Sequence, residues 1–90
     1  MYKIEMSAKF RRDLKASRKR GYDINKLNSV VDLLSNGVTL PIKNRDHDLT
    51  GNYAGFRECH IAPDWLLIYR IEKEVLVLYL LRTGTHSDLL

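Results

Sequence analysis

The hydrophobic periodicity changes once along this chain, and that change limits the folds it can adopt. Between residues 7 and 35 apolar side chains recur every three or four positions, as on one face of an α-helix. From residue 56 to residue 81 they alternate with polar residues or run consecutively in short segments, as in β-strands. Helical and strand segments separated in this way predict an α+β protein whose helices pack against a sheet.

One strand and two helices are expected in the N-terminal half. Tyr2, Ile4 and Met6 alternate with polar residues and predict a half-buried first strand. Ser7 and Asp23 each precede a helical pattern, and their side-chain oxygens can accept hydrogen bonds from the free backbone N–H groups of a first turn. Glycines at positions 21 and 37 follow the two patterns, where helices commonly end.

Three further strands are expected in the C-terminal half, after a polar loop around residues 43–48. They are predicted at Phe56–Ile61, Trp65–Ile71 and Val75–Leu81. The short segments between them suit antiparallel hairpins. The predicted order is therefore β-α-α-β-β-β, with two N-terminal helices packed on one face of a small, mainly antiparallel sheet, in a single domain over residues 1–90.

The charge of the chain favours an anionic partner. Fifteen Lys and Arg residues against eleven Asp and Glu residues give a formal net charge of +4. The basic excess is concentrated in and just after the first predicted helix, at Lys9, Arg11, Arg12, Lys15, Arg18, Lys19 and Arg20. A solvated helix face is the alternative explanation, because charged runs usually face water.

Cysteine content and hydropathy exclude several other classes of protein. Cys59 is the only cysteine, which excludes an intrachain disulfide or a cysteine-based zinc cluster and is typical of a reducing compartment. The first six residues are too few and too polar for a signal peptide. No apolar segment approaches the roughly 18 residues that a membrane span needs. We therefore expect a cytoplasmic protein with no membrane partner.

The histidines are the residues best suited to acid–base chemistry. His47, His60 and His86 all lie outside the predicted helices, and imidazole titrates near neutral pH, so that a pair can serve as general base and general acid. Glu58 and His60 share one face of the predicted strand because side chains alternate along a strand. Asp64 follows in the turn and is expected to orient His60, with an exposed ion pair as the alternative.

Two further segments carry groups that could contact phosphate. Lys43 and Arg45 precede His47 and could line the rim of a groove, although a plain surface loop would have the same composition. Near the C-terminus, Arg82 and Gly84 precede the last histidine, where a frayed tail is the alternative. Gly84 would let the backbone approach a phosphate. Because the histidines lack the close spacing of a preorganised metal site, we expect no metal and no other cofactor.

Three segments resemble the YafQ family of toxins from bacterial type II toxin–antitoxin systems: RDHDLTG at 45–51, GFRECHIAPDWLLIY at 55–69 and RTGTHS at 82–87. The resemblance covers essentially the whole chain and implies the RelE fold. It implies a ribosome-dependent endoribonuclease that cuts messenger RNA, inhibits translation and is neutralised by an antitoxin protein. In such toxins the 2′-hydroxyl attacks the neighbouring phosphate, so that no metal is required.

The same resemblance implies roles for individual residues. The catalytic positions would be His47, His60, Asp64 and His86, with Glu58 at a position where relatives can carry Asp. The RNA-binding positions would be Arg82, Lys43, Arg45 and Leu90, the last of these replacing an aromatic residue that relatives can use to contact RNA. The basic first helix would bind ribosomal RNA. The alternatives are a non-catalytic RNA- or ribosome-binding relative and a zinc site.

Overall fold

A five-stranded mixed sheet forms the centre of the computed structural model, which describes residues 1–90. The strands are β1 (Lys3–Met6), β2 (His47–Asp48), β3 (Arg57–Ala62), β4 (Trp65–Glu72) and β5 (Val77–Gly84). The helices are α1 (Ala8–Lys19), α2 (Ile24–Ser35) and a single C-terminal turn, α3 (His86–Leu89), and 3₁₀ turns occupy Ile42–Asn44 and Gly51–Tyr53. No helix combines the length and the apolar character needed to cross a membrane.

The strand order confirms the predicted α+β architecture. The strands lie in the order β1-β5-β4-β3-β2, with β1 parallel to β5 and every other neighbouring pair antiparallel. The β3–β4 and β4–β5 pairs are the two predicted hairpins. The second predicted boundary lies later than expected, because residues 73–76 form the turn and β5 continues to Gly84. Arg82 therefore belongs to a strand and not to a tail.

The predicted helix caps are also present. The Ser7 side chain accepts a hydrogen bond from the Phe10 backbone N–H at 2.9 Å, and the Asp23 side chain accepts one from Asn25 at 3.0 Å. Gly21 follows α1 with a φ of +81°, a left-handed conformation that costs glycine little. These local contacts begin and end the helices where the sequence indicates.

The main core lies between α1, α2 and one face of the sheet. Its buried residues include Phe10, Leu27, Leu34, Leu67 and Leu80, each at most 4% exposed. Burial of side chains of this size stabilises the fold by roughly 1.5–3 kcal/mol apiece. A smaller cluster on the opposite face joins Leu66 and Ile68 to Leu89 of α3. The face away from α1 and α2 is therefore open only in part.

Two local predictions were wrong. The first strand is not half-buried, because β1 is an edge strand and leaves Ile4 41% and Met6 39% exposed. The segment predicted as a loop around residues 43–48 contains part of a 3₁₀ turn and the short strand β2, which adds a fifth strand. β2 places His47 directly opposite Glu58 on β3. The extra strand thus brings one predicted site residue next to another.

Candidate active site

Strand β3 supplies the central residues of the site. Cys59 packs into the core under the helices, so its neighbours Glu58 and His60 point to the other face of the sheet. The Glu58 side chain is only 5% exposed. Its Oε1 lies 3.7 Å from His60 Nε2 and 3.4 Å from His47 Nε2. Glu58 is therefore a nearly buried carboxylate between two imidazoles, and it can stabilise a positive charge on either.

The C-terminal turn brings the third histidine to the same place. His86 is the first residue of α3, and its ring centroid lies 5.6 Å from that of His60. Two imidazoles far apart in the sequence therefore lie side by side. His86 is more accessible, with 50% of its side chain exposed against 13% for His60. The site therefore has one sheltered and one exposed imidazole.

The sequence predicted that Asp64 would contact His60, but Asp64 contacts His86 instead. Its Oδ1 lies 2.7 Å from His86 Nδ1 and accepts a hydrogen bond from the His86 backbone N–H at 3.1 Å. These contacts hold the pKa of the Asp64 carboxyl below its usual range. His60 Nδ1 instead lies 3.3 Å from the backbone oxygen of Pro63. In both rings Nδ1 faces an oxygen, and in His60 Nε2 also lies near the Glu58 carboxylate.

A small network fixes the position of α3. Thr85 caps the turn by accepting a hydrogen bond from the Asp88 backbone N–H, and Asp88 accepts one from Thr85 N–H in return. Arg20, at the end of α1, binds both Asp88 oxygens at 2.6 and 3.2 Å and holds the pKa of that carboxyl well below its usual range. A Cβ at Gly84 would lie 2.9 Å from Asp88 Oδ2. The sequence predicted that Gly84 would make room for a phosphate, but the space beside it is occupied by the Asp88 carboxylate.

Arg82 is placed on the catalytic face by the register of the sheet. Glu58 pairs with Ile68, and Ile68 pairs with Arg82, so the three side chains share one face across β3, β4 and β5. Asp13 of α1 accepts hydrogen bonds from Arg82 Nε at 2.7 Å and from Nη2 at 3.1 Å, and it raises the pKa of the guanidinium. The Tyr53 phenol is a further neighbour of this guanidinium. Nothing in the sequence pattern indicated Asp13.

The other predicted RNA-binding residues lie at the edges of the site. Lys43 and Arg45 flank the buried Asn44, whose Nδ2 donates a hydrogen bond to the His60 backbone oxygen at 2.7 Å. This bond fixes the basic 3₁₀ turn relative to a site histidine. Leu90 is 68% exposed at the end of the chain, beyond α3. Its side chain makes no packing contact comparable to that of Leu89, which is buried.

The basic residues of the first helix divide into two groups. Six of them are exposed and form no ion pair: Lys9, Arg11, Arg12, Lys15, Arg18 and Lys19. Arg20 differs, because its guanidinium binds Asp88 and lies 5.9 Å from the centre of the Tyr22 ring. Only the first six side chains are therefore free to meet an external anion.

Other reactive groups lie outside this site. The Cys59 thiol is fully buried, which raises its pKa to about 12 and keeps it protonated at neutral pH. The carboxylates of Asp46 and Asp48, next to His47 in the sequence, both bind Arg57. The carboxylate partner of the His47 ring is therefore Glu58 and not a sequence neighbour.

Three of the site residues could hold a metal ion. One donor atom from each of Glu58, His60 and His86 lies within 4.8 Å of the other two. Two imidazoles and a carboxylate are a ligand set that zinc accepts, at bond lengths of roughly 2.0–2.2 Å. The side chains would have to move closer together to close around an ion. The expected absence of a metal stays a prediction.

Fold and site together define a small basic α+β domain with histidines and carboxylates on the sheet face away from its two long helices. Residues 2–90 match the family described as the bacterial toxin of type II toxin–antitoxin systems, YafQ. The chain belongs to this family, and the resemblance inferred from its motifs is confirmed.

Named relatives extend this comparison. The mRNA interferase toxin YafQ of Escherichia coli (strain K12) is 41% identical over 87 residues, covering 96% of this chain and 92% of the relative. The structure of an E. coli DinJ–YafQ toxin–antitoxin complex matches with a TM-score of 0.88 and 40% identity, covering 98% of this chain and 96% of the matched chain. A metal-bound toxin from Helicobacter pylori matches over 100% of both chains, with a TM-score of 0.94 and 46% identity.

Proposed function

We propose that this chain is the toxin of a type II toxin–antitoxin system and an endoribonuclease that cleaves messenger RNA on the ribosome. One observation carries the proposal. The ring centroids of His60 and His86, which come from distant parts of the chain, lie 5.6 Å apart beside the nearly buried Glu58. The E. coli relative is named an mRNA interferase, which supports the same activity here.

The proposed reaction is an internal transesterification. The 2′-oxygen of one nucleotide attacks the adjacent phosphorus and loses its proton to a general base, while the 5′-oxygen of the next nucleotide leaves and takes a proton from a general acid. The products are a 2′,3′-cyclic phosphate and a 5′-hydroxyl end. The reaction needs no water nucleophile and no metal ion.

The contacts of each group suggest its role. Asp64 beside Nδ1 orients the His86 ring so that Nε2 can deliver a proton, which suits the general acid. His60, sheltered and next to the Glu58 carboxylate, suits proton removal from the 2′-hydroxyl, alone or together with Glu58. The guanidinium of Arg82, held on this face by Asp13, is suited to the charge that develops on the phosphate. His47 lies on the other side of Glu58 and adds a third imidazole to the site.

Two macromolecular partners follow from this proposal. The six unpaired basic side chains of α1 would attract ribosomal RNA through phosphate contacts, an interaction that weakens as salt is added. An antitoxin would neutralise the chain, as the E. coli structure of a DinJ–YafQ complex suggests. Exchange of Arg11, Arg12 and Lys15 for Glu should weaken ribosome binding and reduce its salt dependence.

The decisive experiment combines the protein with a defined message, with and without ribosomes and with and without excess chelator. We expect cuts that depend on ribosomes, survive the chelator and leave cyclic-phosphate ends. His60→Ala and His86→Ala serve as inactive controls. A message left intact in the presence of ribosomes would contradict the proposal. Growth arrest that survives both substitutions would instead support a non-catalytic, ribosome-binding toxin.

A further inference from the structure

A groove lies beside the catalytic cluster, on the side of β3 that faces α2. It has a volume of about 660 Å³ and is bounded by α2, the 3₁₀ turn at Ile42–Asn44 and the β3–β4 turn. This volume is within the range of sites that bind small ligands, roughly 300–1,000 Å³. His60 belongs both to its lining and to the candidate active site, so the groove borders that site at this residue.

The charge of the groove is of one sign. Lys26, Lys43 and Arg45 line it, and none of the twelve lining residues carries a carboxylate. These three cations take part in none of the ion pairs of the structure, whereas Arg20, Arg57, Arg70 and Arg82 are all bound to carboxylates. An anion entering the groove would therefore meet unneutralised positive charge.

The floor of the groove is apolar. Val30 and Leu33 of α2 and Ile61 of β3 contribute hydrophobic surface to the lining. An apolar floor below a cationic rim matches a nucleotide, whose flat base is largely apolar on its faces and whose phosphate is anionic. The hydrogen bond from Asn44 to the His60 backbone fixes the distance between the rim and the catalytic histidine.

We propose that this groove receives the RNA nucleotide next to the phosphate that is cleaved. The base lies on the α2 side, against Val30 and Leu33, and the adjoining phosphate is held by Lys26, Lys43 and Arg45. The assignment rests on the proposed RNA-cleaving function, since His60 borders the groove and also belongs to the candidate active site. It makes α2 part of the RNA-binding surface, which the sequence motifs did not indicate.

A pair of matched substitutions tests this proposal. Ser29 lines the groove and is exposed, so Ser29→Trp fills the groove without disturbing the core. Asn28→Trp adds the same side chain at the neighbouring exposed position, outside the lining. A short oligoribonucleotide is titrated against both, each in a His86→Ala background that prevents cleavage. We expect Ser29→Trp to weaken binding roughly 10-fold relative to Asn28→Trp, as for the loss of one stacked base.

A second pair tests the charged rim. Lys26→Glu should weaken RNA binding and lower its salt dependence by about one phosphate contact. Lys73→Glu, in the distant β4–β5 turn, makes the same change in net charge and should have little effect. Equal affinities within both pairs would overturn the assignment and leave a protein segment as the occupant of the groove.

The outcome is separate from that of the proposed function. RNA affinity in the His86→Ala background reports on the groove alone, whereas cleavage by the unmodified protein reports on the activity. In the active protein, Ser29→Trp should lower kcat/KM for RNA by a similar factor of roughly 10. Cleavage with equal kcat/KM in both tryptophan variants would overturn the groove proposal and leave the nuclease proposal intact.

Discussion

The two halves of the candidate site are held in place by different means. Glu58 and His60 project from β3, which pairs with strands on both of its edges and packs Cys59 into the main core. His86 lies on a single C-terminal turn that is attached by Leu89, by the capping contacts of Thr85 and Asp88, and by Asp64. The first half is fixed by the sheet, and the second depends on a few side-chain contacts.

This difference separates folding from catalysis. The residues that hold His86 are largely exposed and contribute little to the main core, so their loss should leave the sheet intact. The alignment of the two imidazoles would nevertheless be lost, and displacements of about 1 Å are enough to slow a reaction strongly. Substitutions in the two halves should therefore affect activity and stability in different proportions.

The largest effect is expected where either half loses its imidazole. His60→Ala and His86→Ala should each lower the rate of RNA cleavage by roughly 10²–10⁴-fold, the usual contribution of a general acid or base. Thermal unfolding should stay close to that of the unmodified protein for His86→Ala. Single-turnover cleavage assays on a defined message would measure the effect. A His86→Ala variant with full activity would remove the C-terminal half from the mechanism.

The apolar anchors of the two halves should differ next. Leu67→Ala, in the main core, should lower the free energy of unfolding by roughly 2–5 kcal/mol, because it leaves a cavity under the helices. Leu89→Ala should lower the free energy of unfolding by less, since α3 can detach locally while the sheet remains folded. Denaturant unfolding measures the first, and hydrogen exchange of residues 85–90 the second. Equal losses of global stability would contradict the proposed independence of the two halves.

A smaller effect is expected from the contacts that orient the C-terminal turn. Asp88→Ala removes both the capping contact and the partner of Arg20, and loss of a helix cap costs roughly 0.5–2 kcal/mol. We expect a fall of roughly 10-fold in kcat with little change in KM, because loss of these contacts lowers the fraction of molecules in which the C-terminal turn is aligned. Asp32→Ala, at an exposed position of α2, is the matched control.

Exchange of the two charges sharpens this test. Arg20→Asp combined with Asp88→Arg should recover part of the kcat that either single substitution loses, because an ion pair can form again. A merely destabilised protein would instead lose activity in proportion to the fraction unfolded. The double variant behaving as the sum of two independent losses would argue against positioning through this pair.

The smallest effect concerns pH. The pKa values of Asp64 and Asp88 are both lowered in the folded protein, so their contributions to docking are present above the ordinary Asp value of about 3.9 and are lost as pH falls through the lowered values. Both carboxylates are exposed to solvent, and the effect on global stability should be slight. As the pH is lowered, the NMR signals of residues 85–90 should change at a higher pH than those of β3 and β4.

The sequence predicted the half of the site that lies on β3 better than the half that lies on the C-terminal turn. Strand periodicity alone placed Glu58 and His60 on one face, because alternation is a local property. The contact between Asp64 and His86 could not be predicted in this way, because the register of β4 and β5 and the path of the tail decide it. The position of Asp64 in the turn just after His60 suggested that histidine as its partner, and this prediction was wrong.

Other misses have the same physical origin. The alternation of apolar residues in the first strand predicts burial, but Ile4 and Met6 lie on an edge strand that the helices do not cover. The partners of Arg20 and Arg82 are carboxylates far away in the sequence, on elements that only the fold brings together. Local patterns specify elements and caps, whereas these long-range ion pairs depend on the packing of helices against the sheet.

The ion pair between Arg20 and Asp88 separates Arg20 from the six other basic residues of this segment, which form no ion pair. Six neighbouring cations can be exchanged to change how strongly the protein adheres to a polyanion, with the C-terminal turn unaffected. The seventh belongs mechanically to the active site, although it lies in the same stretch of sequence. Under the proposed function, affinity for the ribosome and speed of cutting should therefore be adjustable one at a time, by substitutions only a few positions apart.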